Sequence, residues 1–203
     1  MKRKPGRPTD TDSATTRQTL IDTARDCFGR NGYERTSNTE IVELAGLTTG
    51  PLYHHFTSKA GLFGAVSNDA IDKVLSGLEK ALGGSPPIDP LERLRLVLGV
   101  MANIYAGDGS FALFNATWPL EIQRNPELLT HINKPQLKQI QELFPFVLKG
   151  TSNTVEGLDN RIADLTTVLY FGITYCVLLE NLSKPKEVMD TIMSALDGTL
   201  FRP

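Results

Sequence analysis

Apolar residues recur at three- and four-residue intervals through most of the chain and nowhere alternate over a useful length. That pattern predicts an all-α protein. Leu20, Ile21, Ala24 and Phe28 lie at helical spacing in a helix running from about Thr16, and Asn31-Gly32 supplies its stop. A short helix over Thr39–Ala45 sets Ile41, Leu44 and Ala45 on one face, with Ser37 or Asn38 as its cap. Gly46 ends it. A tight turn at Leu47-Thr48 leads into a second short helix, Thr49–Phe56, which Thr48 can cap and which carries Pro51 in its first turn. Thr57-Ser58 caps a longer helix, Lys59 to Leu82, and Gly83-Gly84-Ser85-Pro86-Pro87 is the clearest break. Later periodic segments predict helices over about Pro90–Tyr105, Ser110–Gln123, Pro126–Lys149, Glu156–Leu182 and Lys184–Leu200.

Two short helices around a glycine turn make a helix-turn-helix, whose first helix braces on the DNA backbone while the second enters the major groove. Phe28, Ile41, Leu44, Leu52 and Phe56 are spaced as the core of a small three-helix unit. The polar residues left over carry the chemistry. Thr48, Thr49 and Gly50 stand at the N-terminal end of the second helix, where two hydroxyls and a glycine allow close approach to base edges. Pro51 offers apolar surface to a thymine methyl. Tyr53 and His54 on the next turn suit phosphates and sugars, and Lys59 opens a helix whose free N–H groups also attract phosphate.

Charge sharpens this picture. The net charge is −2 over 203 residues, but residues 1–60 hold nine Lys/Arg against seven Asp/Glu, whereas residues 61–203 hold twelve against sixteen. Residues 1–14 read as a disordered arm, and Lys2, Arg3, Lys4 and Arg7 make it basic. Its Lys4-Pro5-Gly6-Arg7-Pro8 string suits a narrow A·T minor groove, with Arg7 as the inserting side chain. Composition excludes collagen-like and disordered classes. Cys27 and Cys176 lie too far apart in sequence for a disulfide framework or zinc set, which favours a reducing, cytoplasmic setting. The polar run after the basic start is unlike a signal peptide, and Val168 to Leu179 is too short to span a bilayer. No membrane partner is expected.

The stretch from Gly32 to Phe63 resembles the TetR family of bacterial transcription regulators. Gly32-Tyr33, Ile41-Val42-Glu43-Leu44-Ala45-Gly46, Leu52-Tyr53-His54-His55-Phe56, Ser58-Lys59 and Leu62-Phe63 carry the likeness, which covers roughly residues 16–65. It implies a homodimer that binds palindromic double-stranded operator DNA and is released by a small molecule. By position it makes Thr48, Thr49, Gly50 and Pro51 base readers, and Ser37, Asn38, Tyr53, His54, His55 and Lys59 backbone contacts. Val42 stands where the family usually has alanine, and Gly61 where it has a helix former.

Three segments are expected from this reading: the arm 1–14, a helix-turn-helix domain 15–62, and a larger helical ligand-binding and dimerisation domain 63–203. Aromatic residues Tyr105, Phe111, Phe114 and Trp118, with Phe144 and Phe146, are candidates for a pocket. Trp118-Pro119 should kink or end its helix and so open space. Asn115, Thr117, Glu121 and Tyr175 are candidate polar contacts for a largely apolar effector. The segment Ile162–Leu182 is apolar on nearly every side, which, with Val188, Ile192, Met193, Leu196 and Leu200, predicts a four-helix dimer interface. Adjacent His54 and His55 face different sides of a helix, and no second cluster supports a metal or catalytic base. With no paired carboxylates, nucleophile elbow or phosphate loop, an enzyme is disfavoured and no cofactor is expected. A regulator controlled by a protein partner remains the alternative.

Overall fold

The computed structural model describes residues 10–83, 89–142 and 185–196, together with Val168, Phe171, Gly172, Thr174 and Tyr175. Arg7, Phe144 and Phe146, Cys176 and most of the expected helix 156–182 lie outside the described residues. The described residues are helical, with no strand among them. Helix α1 is Asp10–Arg35, α2 is Asn38–Leu44, α3 is Thr49–His55, α4 is Lys59–Leu82, α5 is Pro90–Gly107 and α6 is Gly109–Arg124. A 3-10 helix spans Pro126–His131, followed by α7 at Lys134–Gln141 and α8 at Pro185–Leu196.

The first three helices close over Leu20, Ile21, Ala24, Phe28, Ile41, Val42, Leu52 and Phe56, all buried. Leu44 does not join them. It is 66% exposed, and Val42 fills the inward position. The reason is register: in the seven-residue α2, Ile41 and Val42 are the buried pair. The capping is local and strong. Ser37 accepts from the Glu40 amide while the Glu40 side chain returns to the Ser37 amide, a reciprocal capping box. Ser58 caps α4 by accepting from the Gly61 amide at 3.0 Å.

Helix α1 begins at Asp10, inside the stretch read as arm, and bends at Gly32, whose φ of 79° lies in the left-handed region. The chain therefore turns there but continues helically to Arg35. Pro126–Lys149 is not one helix. A 3-10 segment and the extended residue Ile132 come first, and Asn133 then caps α7 with Pro135 in its first turn. A proline is tolerated there and not in a helix interior, so Pro135 marks a start that the apolar periodicity hid. Helix α6, by contrast, does not end at Trp118-Pro119 but runs on to Arg124.

Helix α4 runs from the three-helix unit into the rest of the molecule, and α6 lies along α1. Phe63 of α4 is the hub of this packing. Its ring is 5.2 Å from Phe28, 5.5 Å from Tyr33 and 5.5 Å from Phe114 of α6. Such offset and edge-on aromatic pairs contribute roughly 0.5–1.5 kcal/mol each beyond area burial. Helix α8 packs on α5 and buries Met193.

Candidate nucleic-acid interface and effector cavity

Helix α3 presents its first turn and outer face to solvent. Thr48, Thr49 and Gly50 are exposed, Pro51 is half-buried, and His54 is exposed. Thr48 is the N-cap residue by backbone geometry, but its side chain makes no capping hydrogen bond. Its hydroxyl and the first amides of α3 are therefore not bonded to each other, which leaves them for an incoming polar edge. Leu52 anchors the opposite face and is fully buried.

Tyr53 is 58% exposed and belongs to the surface, not the core. Its hydroxyl accepts from the Asn38 side-chain amide at 3.4 Å, which ties α3 to the start of α2. Asn38 Oδ1 is buried without a hydrogen-bond partner. The Ser37 hydroxyl is committed to the capping box. His54 and His55 meet edge to face at 5.1 Å. Burial pushes the His55 pKa down, helped by His54 and by Arg17, so the imidazole favours its neutral form. Among the described residues no three His, Cys, Asp or Glu side chains gather as a metal site requires.

Lys59 has a different surrounding from the one its position suggests. Its ammonium donates to the carbonyls of Tyr33, Glu34 and Thr36 at 3.0, 3.3 and 3.2 Å. It also sits 4.3 Å from the centre of the Tyr33 ring. Its three donors thus satisfy carbonyls at the C-terminal end of α1, where the helix dipole also favours a cation.

Arg25 was not singled out from the sequence. Its side chain is 2% exposed and bonds Asp22 at 2.7 Å, Asp69 at 3.0 Å and Asp108 at 2.6 Å. Its Nε donates to the Ser110 hydroxyl at 3.0 Å. One cation thereby joins α1, α4 and the start of α6. Asp22, three residues earlier, was the only partner visible in sequence.

A cavity of about 240 Å³ lies between α4, α5, α6 and α7. Its wall includes Ala70, Ile71 and Val74 of α4, Val97 and Met101 of α5, Phe114, Asn115, Trp118 and Pro119 of α6, and Leu137 and Ile140 of α7. Trp118 donates through Nε1 to the Ser67 hydroxyl at 3.0 Å, across the cavity from α6 to α4. Of the expected pocket residues, Phe114 and Trp118 line this space, as does Asn115. Tyr105 and Phe111 pack together behind it at 6.1 Å. The Tyr105 hydroxyl shares a 2.8 Å hydrogen bond with Thr174 and accepts from Asn115 at 3.4 Å. Thr117 bonds back to Leu113 and Phe114 carbonyls, and Tyr175 is 52% exposed. Glu121 is buried elsewhere, against Gly32 at the bend of α1.

The arrangement is a helix-turn-helix with its polar face open, joined through α4 and α6 to a mostly apolar cavity. A profile described as "Bacterial regulatory proteins, tetR family" matches residues 20–66, the span from the α1 core through the first two turns of α4. Residues 20–66 thus carry the DNA-binding segment of the TetR family. The family consists of DNA-binding transcription regulators, not enzymes.

Among relatives, the HTH-type transcriptional regulator TtgR of Pseudomonas putida is 35% identical over 92 residues, 45% of this chain and 43% of that protein. The chain thus matches less than half the length of that relative. HTH-type transcriptional regulator UidR of Escherichia coli is 23% identical over 194 residues, 94% of this chain and 95% of that one. Among solved structures, FadR of Bacillus subtilis, in complex with stearoyl-CoA, superposes with a TM-score of 0.70 at 19% identity, covering 90% of this chain and 98% of that one. At that identity the likeness is one of fold. The TetR-family match is confined to the α1–α4 region, and the cavity lies beyond it.

Proposed function

We propose that the protein is a ligand-responsive transcriptional regulator that binds palindromic operator DNA as a homodimer and is released by a small, largely apolar molecule. Residues 15–62 read the DNA, and residues 63–203 bind the effector and pair the two protomers. The observation that carries this reading is that α4 and α6 each touch both ends of the mechanism. On α4, Lys59 holds the end of α1 while Ala70 and Val74 line the cavity. On α6, Phe114 lines the cavity and packs on Phe63, which in turn touches Phe28 and Tyr33.

Thr48, Thr49, Gly50 and Pro51 are the proposed base readers. Tyr53, Asn38, Ser37, His54 and His55 lie along the flanks where phosphates pass. Lys59 is reassigned from a phosphate contact to a brace for α1, and Arg7 in the arm is the proposed minor-groove contact. A two-fold dimer sets its recognition helices to enter successive major grooves roughly 34–36 Å apart. Release requires the effector to bind more tightly to a form in which that spacing is lost, because equal affinity for both forms shifts nothing. Control by a protein partner is the second reading, and no feature of the described residues favours it.

The test is selection of bound duplexes from random-sequence DNA with the full chain, followed by fluorescence anisotropy on the enriched sequence. The reading expects one inverted repeat and an affinity that falls steeply with salt. Enrichment of no symmetric sequence, or salt-independent binding, overturns it.

A further inference from the structure

The described cavity wall carries few polar side chains. Among the described residues it carries no charged side chain; its polar members are Ser67, Asn115 and Gln141. Gln141 is exposed and lies at the rim. Ser67 accepts from Trp118 Nε1 and donates its own hydrogen to the Phe63 carbonyl at 3.0 Å, so both the Ser67 hydrogen and the Trp118 N–H are used within the protein.

Asn115 differs. One N–H of its side-chain amide is directed to the Tyr105 hydroxyl, which is itself held by Thr174, and this leaves the side-chain carbonyl as an acceptor on the wall, with the amide's second N–H beside it. Four residues on stands Pro119, also on the wall, which has no N–H to give to the Asn115 main-chain carbonyl. Asn115 therefore brings to an apolar space a side-chain carbonyl and one remaining amide N–H, and its main-chain carbonyl lacks the usual i+4 donor, while the Ser67 and Trp118 hydrogens are used within the protein.

We propose, building on the effector-site reading above, that the cavity takes an uncharged, mainly apolar molecule with a hydroxyl or N–H donor, received by Asn115, and rejects carboxylates and phosphates. Among the described residues an anion would meet no cation and only a single amide N–H from Asn115, and burying an ionised group unpaired is costly. Size points to a compact ligand. A cavity of about 150 Å³ admits benzene, and this one, at about 240 Å³, fits a body of one to two rings.

Three probes of one shape separate these terms: 4-ethylcyclohexanol, ethylcyclohexane and 4-ethylcyclohexanecarboxylate, titrated into the full chain at pH 7.5. None absorbs where tryptophan emits, and Trp118 is the chain's single tryptophan. Binding is read by its emission and by thermal denaturation. The alcohol should bind roughly threefold to tenfold more tightly than the hydrocarbon, the range of one hydrogen bond. The carboxylate should bind at least about thirtyfold more weakly than the alcohol. Asn115→Leu should erase the alcohol's advantage and leave the hydrocarbon's affinity intact. Asn115→Asp, which keeps an acceptor, should retain the alcohol and weaken the carboxylate further. A carboxylate bound as tightly as the alcohol, or an alcohol preference that survives Asn115→Leu, overturns the proposal. If all three bind alike, the effector cavity stands and this inference falls. If none binds while specific DNA binding persists, the cavity is no effector site and both fall.

Discussion

The Arg25 guanidinium on α1 lies 2.6 Å from the Asp108 carboxylate that caps α6. The same carboxylate accepts from the Ser110 amide and hydroxyl at 3.0 and 2.6 Å, so one group begins α6 and fastens it to the DNA-reading end of the molecule. Arg25 also lies 5.9 Å from the centre of the Phe111 ring. Removing this cation leaves Asp22 and Asp69 with Lys73, at 3.7 and 3.0 Å, as their cation and takes the guanidinium from Asp108. Breaking a buried ion pair costs about 3–5 kcal/mol. Asp22 and Asp108 keep some contact with water, so Arg25→Met should lower unfolding free energy by roughly 3 kcal/mol, measured by urea denaturation at pH 7. A loss below about 0.5 kcal/mol would show that the cluster contributes no more than an exposed pair.

Asp108 also predicts a pH dependence. Burial raises its pKa, but the Ser110 hydroxyl and Arg25 outweigh that and hold it below its ordinary value. A carboxyl whose folded pKa is depressed stabilises the fold above its unfolded pKa, about 3.9, and loses that contribution as pH falls through the folded value. Asp108→Asn should therefore be less stable than wild type at pH 7, with the gap closing only below about pH 4. A gap that closes between pH 7 and 5 would assign the effect to another group.

Lys59 and Thr49 should separate folding from recognition. Lys59→Met removes three charge-assisted hydrogen bonds to the end of α1 and should cost about 1–2 kcal/mol of stability, since the site is only half-buried. Thr49→Ala touches no internal partner. It should leave stability within about 0.5 kcal/mol while relaxing base preference by about 1–3 kcal/mol at one operator position. Denaturation curves and anisotropy against single-base operator variants check both. Unchanged stability for Lys59→Met together with a shallower salt slope would restore it as a phosphate contact.

Gly64 tests how α4 meets the 3-10 helix. A Cβ there would stand 2.5 Å from both the Cβ and the carbonyl oxygen of His131, backbone that has no easy escape. Asn68 holds the same segment, accepting from the Asn133 amide at 2.8 Å, and Gln136 donates to Asp72. Gly64→Ala should destabilise by about 1–3 kcal/mol, the usual cost of overpacking, as judged by thermal denaturation. A neutral substitution would mean that the 3-10 helix shifts freely.

Cys27 should be inert and should stabilise the fold below alkaline pH. Burial pushes its thiol up to about 11, with Glu40 and Asp26 adding to the effect. A folded pKa raised above the unfolded value gives stability that is complete below the unfolded pKa, near 9, and is lost as pH climbs towards 11. Cys27→Ala should therefore have a flatter stability profile between pH 9 and 11. Native protein should resist iodoacetamide at pH 8 until it is unfolded. Rapid alkylation of the native chain at Cys27 would overturn this.

The all-α class, the helix-turn-helix and the start of α4 were legible because they are local. Ser37 with Glu40, Ser58 with Gly61, and the Gly46 turn lie within a few residues of one another, so chemistry and spacing sit together in the chain. Family likeness was legible for the same reason, since Leu52-Tyr53-His54-His55-Phe56 and Ser58-Lys59 occupy one short stretch. Leu44 turned outward and Val42 inward because Ile41 has an apolar neighbour on either side of its face, Val42 one step round and Leu44 three residues on, and only packing partners decide which of them is covered. The broken helix at Pro126–Lys149 hid behind a continuous apolar pattern that a 3-10 turn and α7 satisfy equally well. Tertiary structure alone decided the rest. Arg25 meets Asp69 and Asp108, Lys59 meets the α1 carbonyls, and Glu121 turns away to Gly32. Each joins residues tens of positions apart, where sequence periodicity fixes a face but not what that face meets.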